Sequence, residues 1–266
     1  MYKIIFIDID GTLRNDKKEI TNRTKIAIQK IVEKGIPIVI CSGRYRQYTE
    51  EVSKEALASD YVIACNGGEI YNYKDKEIIY ENNLKKQTII DLYQLAKKYD
   101  VEFDINSRDK KIVFNKSDSI LEESVEEFVE THTSTQCVFA DGDATKIKAI
   151  KAEIDKLEDI EIINLSKSLL YENVPVEPLV FLDVVCKGTS KGNAIKKLCE
   201  YLKINLKDCV AIGDSYNDLP MFGVVGHRVV MGNALEDIKK VADEVTDSNN
   251  EDGVAKFLEN LNKEVF

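Results

Sequence analysis

The stretch Lys3-Ile4-Ile5-Phe6-Ile7-Asp8-Ile9-Asp10-Gly11-Thr12 carries the reading of the whole chain. Lys3 to Ile9 is a dense β-branched run, the pattern of a strand. It ends in two carboxylates two positions apart, Asp8 and Asp10, which in a strand project to the same face. Gly11 lets the backbone turn there without a side chain in the way. In parallel α/β sheets ligands bind beyond the carboxyl ends of the strands, so the expectation is a pair of acids at a binding edge. Acidic residues also end strands without chemical purpose, and the segment needs partners elsewhere.

Outward from this strand, Thr21 to Glu33 has apolar residues at helical spacing, with Thr21 as N-cap and Gly35 as stop. Ile36 to Cys41, Tyr45 to Leu57 and Tyr61 to Cys65 repeat the alternation, which predicts a parallel sheet with helices on its faces. After Asn66-Gly67-Gly68 the rhythm changes, with a hairpin over Glu69 to Tyr80. From Lys85 helices alternate with groups of strands: helices over 87–98, 119–130 and 145–157, and strands over 101–106, 111–115, 136–140, 161–165, 168–172 and 179–186. The βα rhythm resumes at Ser190, with strands at Asp208 to Ile212 and Arg228 to Met231. The expected fold is α/β: a Rossmann-like parallel-sheet core of residues 1–81 and 187–266, interrupted by an inserted α+β domain of residues 82–186.

Composition narrows the function. The 266 residues are 44% apolar and 32% charged, which suits a folded protein, and the formal net charge is −10. That acidity, without Lys/Arg clusters, argues against nucleic acid as partner. The six cysteines show no Cys-x-x-Cys pair and read as reduced thiols. No run of eighteen apolar residues and no basic leader occurs, so no membrane partner and a cytoplasmic location are expected. Neither histidine, His132 or His227, has the spacing of a metal ligand.

Three further segments can supply the first with partners. Cys41-Ser42-Gly43-Arg44 ends the second strand, where the Ser42 hydroxyl can donate to a phosphate oxygen. Gly188-Thr189-Ser190-Lys191-Gly192 opens a helix with a cation, electrostatically the wrong end for one, which suggests a functional charge. Gly213-Asp214-Ser215-Tyr216-Asn217-Asp218 follows an apolar strand with carboxylates able to ligate a hard divalent cation. Ser215 as N-cap and Asp218 as a first-turn charge would serve a helix equally well.

Taken in order, these four segments resemble the four motifs of the haloacid dehalogenase superfamily, and their spacing resembles its Cof-type phosphatases with a subtype IIB cap. Asn66-Gly67-Gly68, Met231-Gly232-Asn233-Ala234 and Asp252-Gly253-Val254-Ala255 look like secondary signatures of the same group. The resemblance implies Asp8 as nucleophile, Asp10 as general acid/base and Lys191 as stabiliser of the transferring group. It implies Thr12, Ser42, Gly43, Arg44 and Asn217 as phosphate or substrate contacts. Mg²⁺ would be held by Asp8, the Asp10 backbone carbonyl and Asp214, with Asp218 supporting it directly or through water. The implied activity is hydrolysis of a small phosphate ester through an aspartyl-phosphate, by a monomer or weak homo-oligomer. Neighbouring negative charge is expected to keep Asp10 protonated for its acid role. Sugar phosphates come first as substrates, with flavin mononucleotide and pyridoxal phosphate also open; a sugar phosphomutase and a non-catalytic metal- or metabolite-binding regulator are the competing readings. Two positions depart from the family pattern: Tyr45-Arg46 follows the second motif where a proline is common, and Ser215 stands where relatives often have Asn.

Overall fold

The computed structural model describes residues 2–107, 111–114, 124–165 and 179–264. The chain divides into two compact units, Met1–Tyr80 with Ser190–Phe266, and Glu81–Thr189.

In the first unit β1 (Ile4–Ile7), α1 (Asn22–Glu33), β2 (Ile38–Cys41), α2 (Arg46–Glu55) and β3 (Tyr61–Ala64) alternate, then β4 (Glu69–Asn72) and β5 (Glu77–Glu81) follow. The Thr21 side chain caps α1 by accepting from Thr24 N, and Gly35, at φ +82°, ends the turn after it. The unit resumes with α6 (Lys191–Leu202), β11 (Cys209–Gly213), α7 (Leu219–Phe222), β12 (His227–Val230), α8 (Glu236–Lys239), β13 (Glu244–Val245) and α9 (Gly253–Glu264). Its strands lie in the order β13-β12-β11-β1-β2-β3-β4-β5, parallel from β13 to β3, with β4 antiparallel to β3.

Alternate residues of these strands enter two different cores, as the period of two requires. Ile5, Ile7, Ile38 and Ile40 pack with α1 and α9, whereas Ile4, Phe6, Val39 and Cys41 pack with α6 and α7. The chain leaves β1 toward β2 on one side and later returns to β11 on the other. The strand order therefore reverses at β1, the place where open α/β sheets bind ligands beyond their carboxyl ends.

In the second unit α3 (Lys86–Tyr99), α4 (Val125–Thr131) and α5 (Ala144–Ile154) accompany β6 (Glu102–Ser107), β7 (Lys111–Phe114), β8 (Ser134–Asp141), β9 (Ile160–Leu165) and β10 (Val180–Cys186). Its five-stranded sheet runs β7-β6-β8-β10-β9, antiparallel throughout. Apolar residues of α3, α4 and α5 share one core with one sheet face. Lys187 N donates to Asp159 O, and Asn82 Nδ2 to Thr189 Oγ1, so the segment up to Thr189 is bonded within this unit.

Several sequence expectations change. The first strand stops at Ile7 instead of Ile9, because the chain turns at Asp8. Within the described residues the helix expected over 119–130 starts at Val125, where Ser124 and Glu127 form a reciprocal capping box; residues 119–123 and the strand expected at 168–172 lie outside the described residues. After β11 the chain makes a 3₁₀ turn, Tyr216–Asp218, that runs directly into α7. No described helix is long and apolar enough to cross a membrane. All six cysteines are free, and Cys186 alone among them is not buried.

Candidate active site

Asp8 N donates to Ile212 O of β11 at 3.0 Å, which pins Asp8 at the strand-order reversal. The following turn is tight: Leu13 N donates to Asp8 O at 3.2 Å and Arg14 N to Ile9 O at 3.0 Å. Gly11 sits at φ +81°, and a Cβ there would lie 2.5 Å from Asp214 Oδ2. Glycine thus permits both the turn and the approach of Asp214.

Lys191 opens α6 behind its N-cap Ser190, whose side chain accepts from Asn193 N at 3.1 Å. Its ammonium donates to Asp8 Oδ1 at 2.5 Å and to Asp218 Oδ1 at 2.6 Å. Lys191 is 1%, Asp8 5% and Asp218 0% exposed, so no bulk water competes for these bonds. The other Asp218 oxygen accepts from Asp214 N at 2.9 Å and Ser215 N at 3.0 Å. Asp218 therefore holds both the lysine and the loop that carries Asp214.

Asp8, Asp214 and Asp218 can each offer a carboxylate oxygen within 4.8 Å of the others. Three carboxylates against one ammonium leave a surplus of negative charge in a buried place, and oxygen donors of this kind suit a hard divalent cation. Burial pushes the Asp8 carboxyl well above the usual range; Lys191 pulls it down, and Asp218 and Asp214 push it up again. Burial opposes the charge on Lys191, yet Asp218 and Asp8 keep its pKa above the ordinary value. Burial thus leads the shift on Asp8, whereas the neighbouring carboxylates carry the rise on Lys191.

Thr12 Oγ1 donates to Asp214 Oδ1 at 3.0 Å, so Thr12 joins this cluster. Ser42 is buried, and its Oγ accepts from Arg44 N at 3.2 Å. Asn217 Nδ2 donates to Asn66 Oδ1 at 3.3 Å, and Asn217 Oδ1 accepts from Ser215 Oγ at 2.5 Å. A Cβ at Gly43 would lie 2.9 Å from the same Asn66 oxygen, which brings the second and fourth motifs together through Asn66.

Asp10 behaves differently from the expectation. Its Oδ2 accepts from Arg44 Nε at 2.8 Å and its Oδ1 from Lys18 Nζ at 3.3 Å. Burial acts to raise its pKa, but the Arg44 hydrogen bond and the charges of Arg44 and Lys18 outweigh that and lower it. The anticipated protonated Asp10 is corrected by this arrangement, because its neighbours are cations. Asp8 and Asp10 also do not share a strand face, since β1 ends before both. Arg46 lies apart, paired with Glu69 at 2.9 Å and stacked over Tyr71.

Two asparagines play roles that spacing did not announce. Asn66 N donates to Ser42 O, and Asn66 sits at φ 55° between Cys65 at 50° and Gly67 at 97°, a left-handed run foreshadowed only by the turn-forming Asn-Gly-Gly sequence. Asn233 Nδ2 donates to Gly11 O at 2.8 Å, which fastens the first turn from the far side of the sheet's carboxyl edge.

A family model described as haloacid dehalogenase-like hydrolase matches residues 5–258. The chain belongs to the haloacid dehalogenase-like hydrolases. It is 32% identical to putative phosphatase YxeH of Bacillus subtilis (strain 168), across 98% of each chain. It is 29% identical to 5-amino-6-(5-phospho-D-ribitylamino)uracil phosphatase YcsE of the same organism, across 96% of this chain and 94% of that one. In fold it matches the subclass IIB sugar phosphatase BT4131 of this superfamily, with a TM-score of 0.77, 24% identity, and 98% and 99% of the two chains covered. The chain is thus a phosphatase-type member of the haloacid dehalogenase-like hydrolases with an inserted cap unit.

Proposed function

We propose that this haloacid dehalogenase-like phosphatase is Mg²⁺-dependent and hydrolyses small phosphorylated metabolites through an aspartyl-phosphate on Asp8, with sugar or polyol phosphates as the first substrate class. The observation that carries this reading is Lys191, buried between Asp8 and Asp218 at 2.5 and 2.6 Å. A buried ammonium on a carboxylate beside two more acids is costly as packing and suited to an anionic reaction. YcsE, named for a phosphoribityl substrate, supports the polyol preference.

In the first displacement an Asp8 oxygen bonds to phosphorus as the bond from phosphorus to the alcohol oxygen breaks, and the leaving alkoxide takes a proton from Asp10. In the second, a water oxygen bonds to phosphorus, the Asp8 oxygen departs, and the water proton returns to Asp10. Lys191 neutralises the phosphoryl oxygens, and Thr12, Ser42 and Asn217 orient them. Asp8, Asp214 and Asp218 would hold Mg²⁺ with the Asp10 carbonyl, and the ion would offset the charge of the phosphate against Asp8. The Arg44 and Lys18 pairing favours Asp10 as proton acceptor; a phosphate dianion that draws those cations away favours it as donor. The unit of residues 81–189 supplies selectivity for the alcohol group.

A phosphate-release screen over phosphorylated metabolites with Mg²⁺, including flavin mononucleotide and pyridoxal phosphate, tests the reading, with Asp8→Asn protein as the blank. Release from sugar or polyol phosphates by the wild type alone is expected. Isomer formation without release, or binding without turnover of any ester, would overturn it.

A further inference from the structure

β3 ends at Ala64, and the next three residues, Cys65, Asn66 and Gly67, all take positive φ, at 50°, 55° and 97°. A left-handed run is strained for most side chains, and Gly and Asn tolerate it best. Such a run persists only where its surroundings hold it, and here they do so on three sides. Cys65 N donates to Arg44 O at 2.8 Å and Asn66 N to Ser42 O at 3.0 Å, which stitches the run to the loop after β2. Gly67 packs so closely on the start of α6 that a Cβ there would stand 2.2 Å from Ser190 O. From the loop after β11, Asn217 Nδ2 donates to Asn66 Oδ1 at 3.3 Å.

The Asn66 side chain is fully buried. It lies against Gly43, where a Cβ would meet its Oδ1, Nδ2 and Cγ at 2.9, 3.1 and 3.2 Å. Asn66 Oδ1 is therefore an acceptor fixed in place. Asn217, by contrast, is only half-buried, and both ends of its amide are tied: Oδ1 accepts from Ser215 Oγ at 2.5 Å, and Nδ2 gives one hydrogen to Asn66. An amide nitrogen carries two hydrogens. Two bonds to a planar group fix its plane, so the second N–H of Asn217 has one direction. A donor aimed in advance needs no reorganisation when negative charge develops in front of it.

We infer that Asn66 is a positioning residue for phosphoryl transfer, acting through Asn217: it holds that amide so that the second N–H is presented to the phosphoryl oxygens. A turn residue alone would need Asn at this place only for its backbone, and the bond to Asn217 is what separates the two roles. That the anion is a transferring phosphoryl group rests on the phosphatase reading; that Asn66 fixes a donor for a phosphate-type anion does not.

Two experiments on the full chain test it. Asn66→Gly keeps the left-handed backbone and removes the amide. Its kcat is expected to fall about tenfold, the order of one hydrogen bond, by the same factor on ribose 5-phosphate and on p-nitrophenyl phosphate, because the change is felt at the phosphoryl group and not at the alcohol. Asn217→Ala is expected to fall about 10²-fold, the loss of one transition-state donor. The double variant is expected to fall no further than Asn217→Ala alone, since Asn66 has nothing left to aim. Losses that multiply would overturn the inference and leave Asn66 as a turn residue. The second experiment needs no active variant: wild-type protein labelled with ¹⁵N at asparagine is titrated with inorganic phosphate in the presence of Mg²⁺, the Asn217 side-chain signals being assigned by their loss in Asn217→Ala. One of the two amide proton signals is expected to shift while the other keeps its place. Movement of neither, or of both alike, would overturn the inference even with phosphatase activity intact. A shift of one signal in a protein that releases no phosphate from any ester would uphold the positioning role and refute the phosphatase reading.

Discussion

Replacing Asp218 by Asn changes one atom and removes one charge, and the geometry makes the cost calculable. An amide has one acceptor oxygen and one donor nitrogen. Asp218 uses both oxygens as acceptors, one for Lys191 and the other for Asp214 N and Ser215 N. Whichever way the amide turns, its nitrogen faces donors: either Lys191 or the two backbone N–H groups lose their acceptor. Asp218 is fully buried, so water does not replace the lost bond. Breaking a buried ion pair from one side costs about 3–5 kcal/mol. At about 2–4 °C per kcal/mol for a domain of 150–250 residues, Tm falls by about 6–20 °C. Misplacing Lys191 by about 1 Å lowers turnover about 10²-fold. Scanning calorimetry and phosphate release, both read below the variant's Tm, give the two values. A Tm within about 2 °C of wild type, a change of no more than about 1 kcal/mol, together with unchanged turnover, would refute the clamp role of Asp218.

Gly67→Ala puts a Cβ 2.2 Å from Ser190 O at a position with φ +97°, so it displaces the start of the helix that carries Lys191. A loss of more than about 1 kcal/mol in urea unfolding, with lower turnover, is expected. Mg²⁺ at about 100 times its Kd raises stability by about 2.7 kcal/mol, read as a thermal shift, and Asp214→Ala removes most of that shift. The Arg228 side-chain and backbone hydrogen bonds hold the Asp243 carboxyl down at about 2. Its folded pKa lies below the unfolded value of about 3.9, so its contribution is complete above that value and is lost as pH falls through about 2. Asp243→Asn flattens that part of the acid-unfolding curve.

The alternation of βα units was legible because each unit states itself locally: Thr21 and Gly35 bound α1, and the run from Ile4 to Ile7 marks β1. The four chemical segments were legible for a similar reason, since each follows or opens such an element. What joins them was not. Lys191 lies 183 positions from Asp8 and 27 from Asp218, and only strand order brings them together. The direction of Asp10 depended on the chain turning at Asp8, two residues earlier than the apolar run suggests, and on Arg44 and Lys18 arriving from two loops. In the second unit, Asp104, Gln136 and Asp183 sit singly inside apolar strands, and cross-strand register alone gathers them into one polar row.

Reductive trapping tests the central claim most directly. Wild-type protein is mixed with substrate and Mg²⁺, quenched into borohydride, which reduces an acyl phosphate to an alcohol, and mapped by peptide mass spectrometry. The account predicts substrate-dependent conversion of Asp8 to homoserine and of no other residue. Continued phosphate release with Asp8 unmodified, or conversion at a different carboxylate, would contradict it.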